Sequence, residues 1–296
     1  MGELLDFVRT IQLFHHVIHN LTYTSMKKLL SFTLLVLFAS GVFYSCQSNQ
    51  EVDPYSISSE VRSQLIGLGF DVVKHPPISF EGGYLVEGDI YLSSSDLSAL
   101  GAAKRVPAVE QYSTNRLVTR LPRTITVFMP TTFSAANFAA VDEAIRRYNA
   151  ENLQLKFQRV TTSSANIVFS RLTKSQERQG ILGSAGFPTS AGNPFGTIKM
   201  SGILESTYGL SVNGIATIMA HEMGHCIGFR HTDYYNRAIS CGGAVSNEGA
   251  GTDGANLIPG TPSTATLAAQ SWMLACTDGS NRFFNNDDKT ALNYLY

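Results

Sequence analysis

At 296 residues and 44% hydrophobic content, the chain is long enough to bury a sizeable core in one or two domains. A formal net charge of −1 carries no basic excess and recommends no nucleic-acid partner. There is no long charge run and no internal repeat, so neither a charged interaction tail nor a solenoid is indicated.

Residues 1–25 carry Glu3, Asp6 and the histidines His15, His16 and His19, and a second plausible start follows at Met26. Met26-Lys27-Lys28 precedes an uncharged apolar run over residues 29–44 and then Ser45-Cys46. A short basic head before an apolar run is the pattern of an export signal. Ser45-Cys46 resembles a bacterial lipoprotein processing site, which implies lipidation of Cys46 and anchoring in the outer membrane or cell envelope. An uncleaved membrane anchor and a cleaved, unlipidated signal are the alternatives. With Met26 as the start, the histidine cluster has no role, and residues 1–46 form a leader.

Residues 47–118 read as a polar tether followed by a small N-terminal unit. Val61, Leu65 and Leu68 fall at helical spacing, with Ser59 as cap. Tyr84-Leu85-Val86 and Ile90-Tyr91-Leu92 flank Glu87-Gly88-Asp89 as two short strands about a turn, and residues 94–100 form a brief helix. Arg116, Arg120 and Arg123 lie in a polar stretch that is either a processing site or an ordinary solvated linker.

Residues 119–296 form the larger unit. A strand is expected over residues 124–129, then a helix capped by Ser134 with Phe138, Val141, Ile145 and Tyr148 on one side. Leu153, Leu155 and Phe157 alternate as in a half-buried strand, and residues 166–169 add another. Residues 197–201 are short enough to be expected as an edge strand. Asn213 is the expected cap of the next helix.

That helix carries His221-Glu222-Met223-Gly224-His225-Cys226-Ile227-Gly228-Phe229-Arg230-His231, the metal-binding pattern H-E-x-x-H-x-x-G-x-x-H. His221 and His225 lie one helical turn apart and point the same way. Glu222 is the only formally charged side chain between Leu210 and Phe229, so the helix is a buried one. A lone buried carboxylate is costly unless a cation compensates it. In a continuous helix His231 would lie about 15 Å along the axis from His221, beyond any shared ion. Gly228 removes the obstacle, because glycine in a left-handed conformation ends the helix and turns the chain back. Three imidazoles and an open position point to zinc, with water as fourth ligand and Glu222 as general base.

The string H-E-M-G-H-C-I-G-F-R-H-T-D resembles that of the metzincin zinc peptidases, and within them the bacterial dual-action HEIGH metallopeptidases. The resemblance implies an α+β catalytic domain with a twisted mixed sheet, a zinc-bearing helix and a loop-rich lower subdomain, and it makes residues 197–201 the candidate strand for pairing with extended substrate. It also implies a methionine turn beneath the metal, for which Met273 is the one candidate downstream of His231. Val86-Glu87-Gly88-Asp89 is similar to the F-x-G-D element of astacin propeptides, which makes Asp89 a candidate latency switch at the metal's open position. A plain turn explains Gly88-Asp89 equally. The position two residues beyond the methionine, a tyrosine in astacins, is Ala275.

Beyond His231 the chain is rich in loops until a helix over residues 286–296, where capping accounts for Asn285-Asn286-Asp287-Asp288. With Cys46 on lipid, Cys226, Cys241 and Cys276 allow one bridge in three ways. The function expected is a secreted or membrane-tethered zinc endopeptidase acting on protein or peptide substrates, its oligomeric state open. The alternative is a non-catalytic, zinc-stabilised binding lipoprotein.

Overall fold

The computed structural model describes residues 56–296, apart from 69, 74, 100–110, 250–252 and 263–264. The chain divides into Met1–Val52 and Asp53–Tyr296, and the described residues belong to the second unit. The leader, with its histidines, Met26 and Cys46, lies outside the described residues. Among the described residues no helix is long and apolar enough to cross a membrane.

The core is a five-stranded mixed sheet. Arg123–Phe128 (β5), Leu155–Val160 (β6), Ile167–Arg171 (β7) and Thr197–Met200 (β9) run parallel in the order β6-β5-β7-β9. Parallel strands need a crossover, and Ala135–Ala150 (α3) supplies it between β5 and β6. Ser134 caps α3, its hydroxyl accepting from Asn137 N. Ala140, Val141, Ala144, Ile145 and Tyr148 form the buried face of α3, which packs on the sheet and on Val212–Ile227 (α5).

Two expectations need correction here. Thr197–Met200 is not an edge strand, because Gly183–Ser184 (β8) pairs antiparallel on its outer side. Two residues are too short to show alternation, so the returning strand left no periodic trace. The cap of α5 is Ser211, whose hydroxyl accepts from Gly214 N, rather than Asn213. Asn213 instead receives hydrogen bonds from the buried Arg147 of α3. Serine and asparagine cap equally well, so tertiary contact decided between them.

N-terminal to the sheet, Ser59–Gly67 (α1) is capped by Ser58, one residue before the Ser59 expected. Ile78–Phe80 (β1), Gly83–Val86 (β2) and Ile90–Ser93 (β3) form an antiparallel meander that leads into Ser94–Ala99 (α2). Leu65, Val86, Ile90, Leu92 and Leu97 pack into a separate apolar cluster that also takes in Phe187.

The arginines at 116–123 are each engaged by other parts of the fold, Arg120 from an exposed position. Arg116 pairs with Asp96 and Asp253, while Arg120 and Arg123 both donate to Asn193 Oδ1. Just before them, Tyr112–Ser113 (β4) pairs with Asn256–Leu257 (β10). The C-terminal region is loop-rich, with one helical turn at Ala238–Cys241 (α6), a 3-10 turn at Leu267–Ala269 and a closing helix, Asn286–Leu295 (α7). Asn285 and Asp288 close a capping box at the start of α7.

Candidate metal centre

Residues 214–227 of α5 are all buried, the environment expected of a helix with no charged face. His221 and His225 leave it on one side. The helix stops at Gly228, whose φ of 109° is left-handed and whose N–H bonds back to His225 O. A Cβ at Gly228 would also lie 2.7 Å from Arg116 O, so both backbone angle and space demand glycine. The chain doubles back there and brings His231 to the other two.

The three Nε2 atoms are 3.1, 3.2 and 3.2 Å apart. A tetrahedral ion with Zn–N bonds near 2.0–2.1 Å sets neighbouring nitrogens roughly 3.3–3.4 Å apart. Each ring's other nitrogen faces an acceptor: His221 Nδ1 the carbonyl of Trp272 at 2.8 Å, His225 Nδ1 that of Phe229 at 2.9 Å, and His231 Nδ1 the Glu248 carboxylate at 2.5 Å. Three Nδ1–H tautomers leave three Nε2 lone pairs converging on one point, which calls for a cation. The donor set fits zinc.

Asp89 closes the cluster. Its Oδ2 lies 3.2 Å from His231 Nε2 and 3.5 Å from His221 Nε2. Together Asp89, His221, His225 and His231 offer four ligand atoms within 4.8 Å of one another. Burial works against ionisation of Asp89, but the His231 and His221 imidazoles outweigh it and hold the carboxyl well below its usual range. Burial likewise works against a charge on His231, yet Asp89 and Glu248 push it up to about 10. His225 goes the other way, pushed down by burial and by its two neighbours.

Glu222 is buried on the same helix, and its Oε2 has no hydrogen-bond partner. Burial first and the Asp89 charge second push its carboxyl well above the ordinary value. Gly183 of β8 is its neighbour: a Cβ there would stand 2.5 Å from Glu222 Oε1. A cavity of about 330 Å³ opens beside it, lined by His221, Glu222, Thr217, Leu274 and Arg282 among others.

Met273 is fully buried under the helix, where a Cβ on Gly224 would come 2.6 Å from its sulfur. The turn that holds it is tied to the third-histidine loop at several points. Thr232 N donates to Met273 O, the Thr232 and Ser271 hydroxyls meet at 2.7 Å, and Ala275 N donates to Asp233. The Cys241–Cys276 bridge adds a covalent tie, leaving Cys226 free and buried in the core. Tyr234 packs on Tyr112 and the Tyr235 hydroxyl bonds Ala265 N.

His221, Glu222, His225, Gly228, His231, Met273 and Asp89 thus come together. Sequence reasoning missed Glu248, Gly183 and the two carbonyl acceptors. Carbonyls are common to all residues and leave no sequence signal. Glu248 is a lone acid in a glycine-containing loop, with nothing local to mark it.

No protein with a curated record matches the chain. Among solved structures it is similar to a crystal structure of myroilysin at 15% identity, covering 67% of this chain and 99% of that one, with a TM-score of 0.36. A second myroilysin structure aligns at 14% identity over 39% of this chain and 45% of its own length, with a TM-score of 0.29. High choriolytic enzyme 1, a hatching-enzyme zinc protease from the medaka fish Oryzias latipes, aligns at 16% identity over 66% of this chain and 98% of that one, with a TM-score of 0.35. The model of one family, described as dual-action HEIGH metallo-peptidase, matches residues 84–296, and the chain belongs to that family.

Proposed function

We propose that this zinc metallopeptidase is an exported endopeptidase in which His221, His225 and His231 hold the ion, Glu222 is the general base and Asp89 keeps the site latent. One observation carries the reading: three imidazoles with engaged Nδ1 atoms converge beside a buried carboxylate with an unpartnered oxygen. Zinc supplies Lewis acidity, making water nucleophilic near neutral pH and polarising a peptide carbonyl. Glu222 accepts the proton the attacking water sheds and returns it to the leaving amine. Its raised pKa suits it to both halves of that exchange. Met273 and Gly228 serve the site as its floor and its bend.

Substrate main chain joins the sheet at residues 183–185 rather than at 197–201. That edge is taken by the N-terminal unit: Ala185 N donates to Asp89 O and Tyr91 N donates to Ala185 O. A peptide adding here must first displace residues 89–91. The N-terminal unit therefore blocks both the strand edge and the fourth coordination position. Export and a lipid anchor at Cys46 are supported by the leader pattern alone.

Asp89 also favours a second reading, because a fourth protein ligand is what a purely structural zinc site has. Two variants separate them. Glu222→Gln keeps zinc but loses peptide hydrolysis after removal of the N-terminal unit; undiminished activity would end the general-base assignment. Asp89→Ala in the full-length chain gains activity on a quenched peptide library. If it binds zinc and stays inert, with or without the N-terminal unit, the site is structural. N-terminal mass spectrometry of the exported chain reads the fate of Met26 and Cys46.

A further inference from the structure

The buried acid behind the third histidine has no part in the chemistry described so far. Glu248 is fully buried, and its Oε1 lies 2.5 Å from His231 Nδ1 and 2.6 Å from Arg237 Nη1. Its Oε2 is 3.4 Å from Arg230 Nη2, and its own N–H donates to Tyr234 O. Arg230 and Arg237 are themselves buried, so the acid is compensated twice over and stays a carboxylate, which can only accept hydrogen bonds.

We infer that Glu248 is a positioning residue for the metal centre: it fixes His231 in the Nδ1–H tautomer and aims Nε2 at the ion. His221 and His225 are oriented by backbone carbonyls, Trp272 O and Phe229 O, on the methionine turn and at the end of the helix. His231 sits on a loop and has no such carbonyl, so its aim depends on a side chain 17 residues further along. A carboxylate is also the stronger acceptor. It makes His231 the most electron-rich of the three imidazoles and the one whose loss of alignment weakens binding most.

Arg237 extends the arrangement to the N-terminal unit. Its Nη1 lies 3.6 Å from Glu87 Oε2, two residues before Asp89, so one guanidinium faces the acid behind His231 and the turn that covers the site.

The inference rests on the zinc reading above, and the test separates the two. Zinc affinity of the full-length chain is measured by chelator competition for the parent protein, Glu248→Gln and Glu248→Asp, with Glu177→Gln as a control. Glu177 is a buried acid engaged by Arg171 and the Gly202 N–H, remote from the histidines in its contacts. Glu248→Gln is expected to bind zinc about 10–100-fold more weakly, and Glu177→Gln to bind as the parent does. Glu248→Asp retains the charge between the two arginines but withdraws the oxygen from Nδ1, so it should fold and still lose affinity. Two readouts do not depend on activity: the visible spectrum of the cobalt-substituted protein, and nitrogen NMR of the His231 ring in the zinc-loaded chain, which reads whether Nδ1 keeps its proton. Both should change in the Glu248 variants only. A parent that fails to bind zinc removes the zinc reading itself. A parent that binds, with Glu248→Asp within about twofold of it and an unchanged cobalt spectrum, overturns the positioning role.

Discussion

Glu222 and Gly183 are a pair in which each explains the other. A buried carboxylate with one oxygen unpartnered is held at a cost, and the nearest backbone leaves it room only because residue 183 has no side chain. Gly183→Ala is therefore expected to retain zinc, since the added methyl meets the Glu222 side chain first, and to cut peptide hydrolysis at least tenfold by crowding the proposed base. Inductively coupled plasma metal analysis alongside a peptide assay separates the two effects. The Asp89 charge acts on Glu222 as well. Burial raises the Glu222 carboxyl first and Asp89 adds to it, so Asp89→Ala should bring its titration to lower pH in the metal-free chain. Carboxyl-carbon NMR of Glu222 reads this directly; an unmoved titration would deny the coupling. The sign for stability follows from linkage. A carboxyl raised by folding favours the fold while protonated, so the metal-free protein gains from Glu222 at low pH and loses that contribution as pH rises through the folded pKa.

One helix carries the site and a second packs against it, and each has a contact that can be probed alone. At the end of α5, Gly228→Ala combines a left-handed φ with a close approach to Arg116 O and should cost roughly 1–3 kcal/mol. Because the same turn delivers His231, zinc affinity should fall with it, and calorimetry with and without zinc tests both. On α3, Glu143 is gripped by Arg146 and Arg147, which hold its pKa down to about 2 against the opposing effect of burial. Arg147 reaches across to Thr217 and Asn281, so the pair also braces α3 against the neighbouring elements. Glu143→Gln should destabilise by roughly 1 kcal/mol at neutral pH after allowance for solvent screening. That difference is full above the ordinary carboxylate pKa and vanishes as pH falls toward about 2, which thermal melts across that window would show. The long elements were readable in advance, because α3 and β6 carry periodic apolar patterns and α5 carries the histidine motif in a stretch with a single charge. Two-residue strands such as β8 and β4 carry none, and capping shifts by a residue or two wherever several serines and asparagines adjoin.

At the scale of the whole molecule, a covalent tie and the pairing of residues 89–91 with Ala185 stand out. The Cys241–Cys276 bridge closes a loop of 35 residues that includes Glu248, and removing it should cost about 3–4 kcal/mol by the loop-entropy argument. A Cys241→Ser, Cys276→Ser double variant is expected to melt lower and to bind zinc less tightly; an unchanged melt would mean that hydrogen bonds alone hold the two loops together. The apolar cluster around Leu65, Ile90 and Leu97 extends to Phe187, whose ring stands edge-on to His225 at 5.7 Å between centroids. From the sequence alone come the zinc motif and its glycine stop, which are written in local spacing, while the methionine turn and the α+β class came with the family resemblance that the motif carries. The tertiary structure decided which cysteines bridge, which strand edge meets Asp89, and that Glu248 stands behind His231. Those depend on residues 17 to 96 positions apart meeting in space, and such meetings leave no mark in the pattern of either partner.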